Sequence, residues 1–176
     1  TATYDYAYGI GNQLSSITGP GAQTVSYDYQ GDLTIAETWA GVVEGSISWG
    51  RDSALRVVSE TVTGGNTVSF AYDDDDLLTA AGNLAITRNA AHGLAKSAVL
   101  GAVSDSFGYN AFGELTARTV AAAGPVVYDV ALQRDDLGRI VQKTETIGGV
   151  TDTYDYDYDL RGQLTVPRTA DRYLDV

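Results

Sequence analysis

The sequence predicts an all-β protein made of repeated antiparallel β-hairpins that join into one continuous curved sheet. Three observations carry this prediction. A turn pattern recurs eight times ahead of an apolar anchor, the anchors being Leu14, Leu33, Leu55, Leu78, Leu94, Leu115, Ile140 and Leu164, at intervals of 16 to 25 residues. Five positions before each anchor stands a turn-favouring residue: Gly9, Asp28, Gly50, Asp73, Asn89, Asn110, Asp135 or Asp159. Two positions before it stand Asn12, Gly31, Ser53, Asp76, His92, Gly113, Gly138 and Gly162, which tolerate a left-handed backbone. Second, the residues leading into the turn alternate: an apolar column (Tyr6, Val25, Ile47, Phe70, Ile86, Phe107, Leu132, Tyr156) precedes a mostly aromatic one (Tyr8, Tyr27, Trp49, Tyr72, Arg88, Tyr109, Arg134, Tyr158). A period of two belongs to a strand with one packed face. Third, Thr, Val and Tyr are abundant, and the 20 glycines against 3 prolines punctuate hairpins rather than helices.

Taken in order, residues 1 to 18 form a degenerate first copy, with Tyr4, Tyr6 and Tyr8 alternating into the turn that leaves through Leu14. Gly19-Pro20-Gly21 makes a return turn, and Val25 to Leu33 is the clearest copy. The third copy replaces Tyr with Trp49, and the fourth turns through Asp73-Asp74-Asp75-Asp76. The fifth has the shortest interval, and its Ala-rich stretch from Asn89 to Leu100 also has the composition of a helical turn; the columns Asn89 and His92 place it in the array. Copies six to eight run Phe107 to Leu115, Leu132 to Ile140 and Tyr156 to Leu164, and the tail from Pro167 to Val176 breaks register. The whole chain, 1–176, reads as a single array of about eight repeats and, since the pattern is cut at both ends, as a segment of a longer protein.

With 44% hydrophobic and 19% charged residues the chain is not a disordered one. A formal net charge of -12 opposes binding to nucleic acid or to an anionic membrane surface. No apolar run approaches the roughly 20 residues that span a bilayer, and the absence of Cys leaves the redox compartment open.

The copies Tyr27-Asp28-Tyr29-Gln30-Gly31-Asp32-Leu33, Tyr109-Asn110-Ala111-Phe112-Gly113-Glu114-Leu115, Asp135-Asp136-Leu137-Gly138-Arg139-Ile140 and Tyr158-Asp159-Leu160-Arg161-Gly162-Gln163-Leu164 resemble the YD repeats of the Rhs family. In that family the motif reads roughly Tyr-Asp-x-x-Gly-Arg-Leu. The resemblance implies a long sheet coiled into a hollow shell within large bacterial secreted or cell-surface proteins, among them polymorphic toxins, insecticidal toxin subunits and the related teneurins of animals. In such toxins the shell encloses a C-terminal effector. The self-cleaving core-terminal segment of the family is not matched by Arg161 to Val176, so Asp159, Asp171 and Asp175 receive no cleavage role.

On this reading the marked residues are a structural repeat motif: Tyr8, Tyr27, Asp28, Gly31, Leu33, Trp49, Tyr72, Asp73, Tyr109, Asn110, Gly113, Leu115, Asp135, Gly138, Tyr158, Asp159, Gly162 and Leu164. No catalytic, cofactor or metal residue is assigned. Asp73 to Asp76 lack the alternate spacing and distal Glu of an EF-hand and read as a solvated turn rather than a calcium loop. His92 is the single histidine, in a left-handed turn column, and no nucleophile elbow or metalloprotease helix accompanies it. Asp155, Asp157 and Asp159 alternate with Tyr154, Tyr156 and Tyr158 as a solvent face opposite a packed one. The aromatic column serves either as a stacked structural ladder or as a platform for glycans. The expected partners are neighbouring repeats or identical chains pairing through edge strands, and an enclosed effector.

Overall fold

The computed structural model describes residues 2–165 and 168–169. It divides into two compact units, Thr1–Gly82 and Asn83–Val176. Within each, the strands follow one another in chain order and every pairing is antiparallel. The N-terminal unit contains β1 (Asp5–Tyr8), β2 (Leu14–Thr18), β3 (Thr24–Gln30), β4 (Leu33–Ala40), β5 (Gly45–Arg51), β6 (Val57–Val62), β7 (Thr67–Tyr72) and β8 (Leu78–Ala81). The C-terminal unit contains β9 (Leu84–Arg88), β10 (Ala95–Leu100), β11 (Val103–Tyr109), β12 (Leu115–Ala122), β13 (Val126–Arg134), β14 (Ile140–Ile147), β15 (Val150–Asp155) and β16 (Arg168–Thr169). The only helical pieces among the described residues are the single 3-10 turns Ile10–Asn12 and Pro20–Ala22. The fifth copy is therefore strand, turn and strand, with no helical turn. Most of the tail expected to break register lies outside the described residues, as do Asp171 and Asp175; Arg168–Thr169 returns to pair with β15.

Each sheet is a single layer. Val130, at 5% exposure, is the one buried hydrophobic residue among those described, and no polar side chain is buried. The chain leaves 12327 Å² accessible, where a compact protein of this mass would leave roughly 8,200 Å². Cohesion therefore comes from strand pairing and from the half-buried side chains between neighbouring strands. Threonine pairs bridge adjacent strands on the polar rows, as in Thr61 with Thr67 at 2.8 Å and Thr146 with Thr151 at 2.7 Å.

A β-bulge interrupts the same place in seven hairpins. Tyr8 pairs with Leu14, Arg51 with Val57, Tyr72 with Leu78, Tyr109 with Leu115 and Arg134 with Ile140, in each case with the register shifting just before the first residue of the pair. Tyr29 with Thr34 and Arg88 with Ala95 do the same. One extra residue on the outgoing strand re-aims the Tyr or Arg that faces it.

Candidate functional site: the row of turns

The turns are the most regularly built feature of the chain. In the seventh, the Asp135 amide donates to the Arg139 carbonyl at 3.0 Å and the Gly138 amide donates to the Asp135 carbonyl at 2.9 Å. The Asp135 Oδ1 then accepts from the amides of Leu137 (3.0 Å) and Arg139 (2.9 Å). One carboxylate oxygen thus satisfies two donors that no strand could reach. Asp73, Asn110 and Asp159 repeat the arrangement, accepting from Asp75 and Leu77, from Phe112 and Glu114, and from Arg161 and Gln163. The residue three positions on is left-handed each time: Asp76 (φ 62), Gly113 (φ 78), Gly138 (φ 78) and Gly162 (φ 77). The first turn makes the same two backbone hydrogen bonds, with Gly9 at its head and Asn12 (φ 62) left-handed, but Gly11 (φ 77) is left-handed as well and there is no side-chain acceptor.

Three copies depart from the expected register. In the third, Asp52 rather than Gly50 heads the turn, accepting from the amides of Ala54 and Arg56. Gly50 lies within β5, and Leu55, expected as the anchor, occupies the left-handed position at φ 66 with its side chain 60% exposed. Val57 takes the anchor's place opposite Arg51. In the fifth the loop is one residue longer, so Gly93 (φ 70) and not His92 is left-handed. In the second, Asp28 remains inside β3 opposite Ala36, and the turn is the two-residue link Gly31-Asp32 between Gln30 and Leu33. The strand residue that faces the bulge there is Tyr29, not Tyr27.

In four repeats the residue at this position reaches the preceding hairpin. The hydroxyls of Tyr29, Tyr72 and Tyr158 donate to the carbonyls of Leu14 (2.8 Å), Val57 (2.8 Å) and Ile140 (2.7 Å), and Arg134 Nη2 donates to that of Leu115 at 3.2 Å. Each acceptor belongs to the first residue of the earlier hairpin's outgoing strand. Where Arg stands instead of Tyr it also closes its own turn: Arg51, Arg88 and Arg134 donate through Nη1 to Leu55, Gly93 and Gly138.

The residue after the left-handed position faces the next repeat. Arg56 lies 4.9 Å from the Tyr72 ring centre and Arg139 lies 4.5 Å from that of Tyr158, distances suited to cation–π attraction. Both also pair with the Asp at the head of their own turn, Asp52 at 2.8 Å and Asp135 at 2.6 Å, and Arg56 pairs further with Asp76. Where the next repeat offers Arg134 in place of Tyr, the facing residue is Glu114, 3.7 Å away. The hydrogen bond from Arg139 holds the Asp135 carboxyl below the usual carboxylate range. The expected ring-to-ring ladder is accordingly a ladder of rings and guanidinium groups. Sequence reasoning passed over Arg56, Glu114 and Arg139; an acid four positions before an Arg, recurring as Asp52/Arg56 and Asp135/Arg139, was the signal.

Three further titratable groups have structural duties. His92 accepts the Leu94 amide through Nδ1 at 3.3 Å and sets its ring edge-on to Tyr109, with centres 5.8 Å apart. Asp155 accepts from Gln142 Nε2 at 2.9 Å. Burial raises the Tyr128 phenol, reinforced by its hydrogen bond to Glu145. Among the described residues no three His, Cys, Asp or Glu side chains gather where they could hold a metal ion. Among the described residues no helix is long and apolar enough to cross a membrane.

The teneurin YD-shell family model matches residues 1–173 of this chain. The chain belongs to the YD-shell family. Comparison with curated proteins gives no match. Among solved structures, the crystal structure of TcdB2-TccC3-Cdc42 is similar over 92% of this chain, with TM-score 0.71 at 14% identity, which is 10% of that chain. The crystal structure of TcdB2-TccC3 without its hypervariable C-terminal region is similar over 96% of this chain and 9% of its own, with TM-score 0.50 at 14% identity. The YD-shell chain thus spans about a tenth of the solved chains it resembles, and these likenesses show its fold.

Proposed function

We propose that the chain is a stretch of wall in a large secreted or cell-surface bacterial protein, a single array of about eight repeats whose shell encloses an effector, with no catalysis of its own. The observation that carries this reading is the single-layer sheet with almost no core, whose hairpins are tied edge to edge by the Tyr and Arg contacts to preceding carbonyls. A sheet built this way gains its stability along the row of repeats, which suits a wall. In the parent protein the free edge of β1 pairs with a neighbouring repeat. Limited proteolysis of the full-length parent tests the reading. An enclosed segment stays intact under native conditions and is cut only once urea opens the wall. A parent digested everywhere outside residues 1–176 at first exposure to protease would overturn it.

A further inference from the structure

Tyr109 breaks the rule that Tyr29, Tyr72 and Tyr158 keep. Each of those donates its hydroxyl to a carbonyl of the hairpin before it, whereas the Tyr109 hydroxyl has no hydrogen-bond partner among the described residues. The hairpin before it is the fifth, whose loop is one residue longer and whose His92 ring stands edge-on to that of Tyr109. A departure from an otherwise repeated construction is where function is to be sought.

Tyr109 lines an open recess of 470 Å³ together with Phe107, Arg88, Asn89 and Lys96. The pairing register explains the gathering. Arg88 ends β9 opposite Ala95, and Lys96 is the extra residue of the bulge between Ala95 and Ser97. Ser97 stands opposite Ser106, so Lys96 falls beside Phe107 across the β10–β11 pair.

The polar groups gathered here are donors. Asn89 Oδ1 is taken by the Ala91 amide at 2.9 Å, which leaves its Nδ2 to give. Arg88 donates through Nη1 to the Gly93 carbonyl at 2.9 Å and brings its charge to the wall of the recess. Lys96, exposed at the rim, has no acid within ion-pair distance among the described residues, whereas Arg56, Arg118, Arg134, Arg139 and Lys143 each have one. The ion pair beside Phe107 is closed on itself: Arg118, 5.6 Å from the ring centre, donates to both oxygens of Asp105. Two cations and no acid thus line this recess, in a chain where acids outnumber Lys and Arg by 23 to 11.

We propose that this recess binds a small aryl phosphate monoester. Such a phosphate carries about two negative charges at neutral pH, which Arg88 and Lys96 balance. Its oxygens accept from Lys96, Asn89 Nδ2 and the Tyr109 hydroxyl, and its ring lies against Phe107 and Tyr109. A carboxylate would leave one cation uncompensated, and a neutral ligand would desolvate both. The volume lies in the range of small-molecule sites. The site stands whether or not the wall encloses anything.

The test is calorimetric titration of the 176-residue chain with phenyl phosphate, inorganic phosphate, glycerol phosphate and benzylamine. Phenyl phosphate binds one to a chain and about fivefold more tightly than the two phosphates that lack a ring, and benzylamine does not bind. Lys96→Gln weakens phenyl phosphate about tenfold and Tyr109→Phe about fivefold. Arg161→Gln, at an exposed base in the eighth turn, leaves the affinity unchanged, and far-UV circular dichroism is the same throughout. Lys96 lies at the rim, so Lys96→Gln decides the matter if Tyr109→Phe fails to fold. No saturable heat up to about 10 mM phenyl phosphate, equal losses from Lys96→Gln and Arg161→Gln, or equal affinity for glycerol phosphate would overturn the proposal. Tighter binding of a short phosphotyrosine peptide than of phenyl phosphate would overturn the small-molecule assignment in favour of a phosphorylated protein.

Discussion

Repeats two and eight have nearly the same sequence and different turns. Tyr158-Asp159-Leu160-Arg161-Gly162-Gln163-Leu164 folds around the Asp159 side chain, which accepts two amides, and its Leu160 projects fully exposed at the tip. Tyr27-Asp28-Tyr29-Gln30-Gly31-Asp32-Leu33 has the same Asp and Gly at the same spacing, yet Asp28 stays in the strand. The difference lies in the residue after the Asp. In the longer turn Tyr29 would stand where Leu160 stands, in water. In the strand its ring is half-buried and its hydroxyl reaches Leu14. Burying part of a Tyr and making that bond contribute together about 2 kcal/mol, enough to outweigh the two amide bonds that Asp28 would have gathered. A turn motif is thus a local preference that a neighbouring strand can overrule.

The largest expected effect comes from removing the cause. Replacing Tyr29 with Leu and Gln30 with Arg should cost about 2 kcal/mol and convert the second turn to the longer form. Amides 30 and 32 would then gain hydrogen-exchange protection by bonding to Asp28; an unchanged register would show that Tyr29 does not decide it. Next, Asp159→Ala should lower stability by about 1–2 kcal/mol through two lost acceptor bonds, whereas Asp28→Ala should stay within about 0.5 kcal/mol of the parent, both read from urea midpoints. Equal costs for the two would remove the distinction between the turns.

Tyr29→Phe and Tyr158→Phe should each cost about 1 kcal/mol despite their different places in the motif, and Tyr27→Phe close to nothing. Leu55→Gly should raise the urea midpoint by the equivalent of about 1 kcal/mol, because a leucine held at positive φ is strained where glycine is not. The smallest effect separates the charged turn of repeat seven from the neutral one headed by Asn110. The folded carboxyl of Asp135 is depressed by Arg139, so its contribution is present above the ordinary carboxylate range and is lost as pH falls through the depressed value. Asp135→Asn keeps an acceptor for the Leu137 and Arg139 amides and should flatten the urea-midpoint profile below about pH 4; a profile as steep as the parent's would place the acid sensitivity elsewhere.

Where turn chemistry was unopposed it could be read directly. Asp73, Asn110, Asp135 and Asp159 head turns that the residue spacing marked out, with Gly113, Gly138 and Gly162 at the left-handed positions. Where it misled, the reason is specific. In the third copy Leu55 has the apolar character of an anchor, but the bulge pairs Arg51 with Val57 and leaves Leu55 at the tip. The fifth hid a one-residue insertion behind His92, next to the glycine that takes the strained conformation.

Neighbouring residues are enough to specify a row of antiparallel hairpins, because a strand period of two and a short-range turn signal are both local properties. Which residue of each hairpin heads its bulge, and what that residue touches, is set by contacts between hairpins. Those contacts join positions 15 to 20 residues apart, between separate hairpins. Their energy depends on a ring or guanidinium finding a carbonyl, a carboxylate or another ring across the strand gap, and nothing local encodes that meeting.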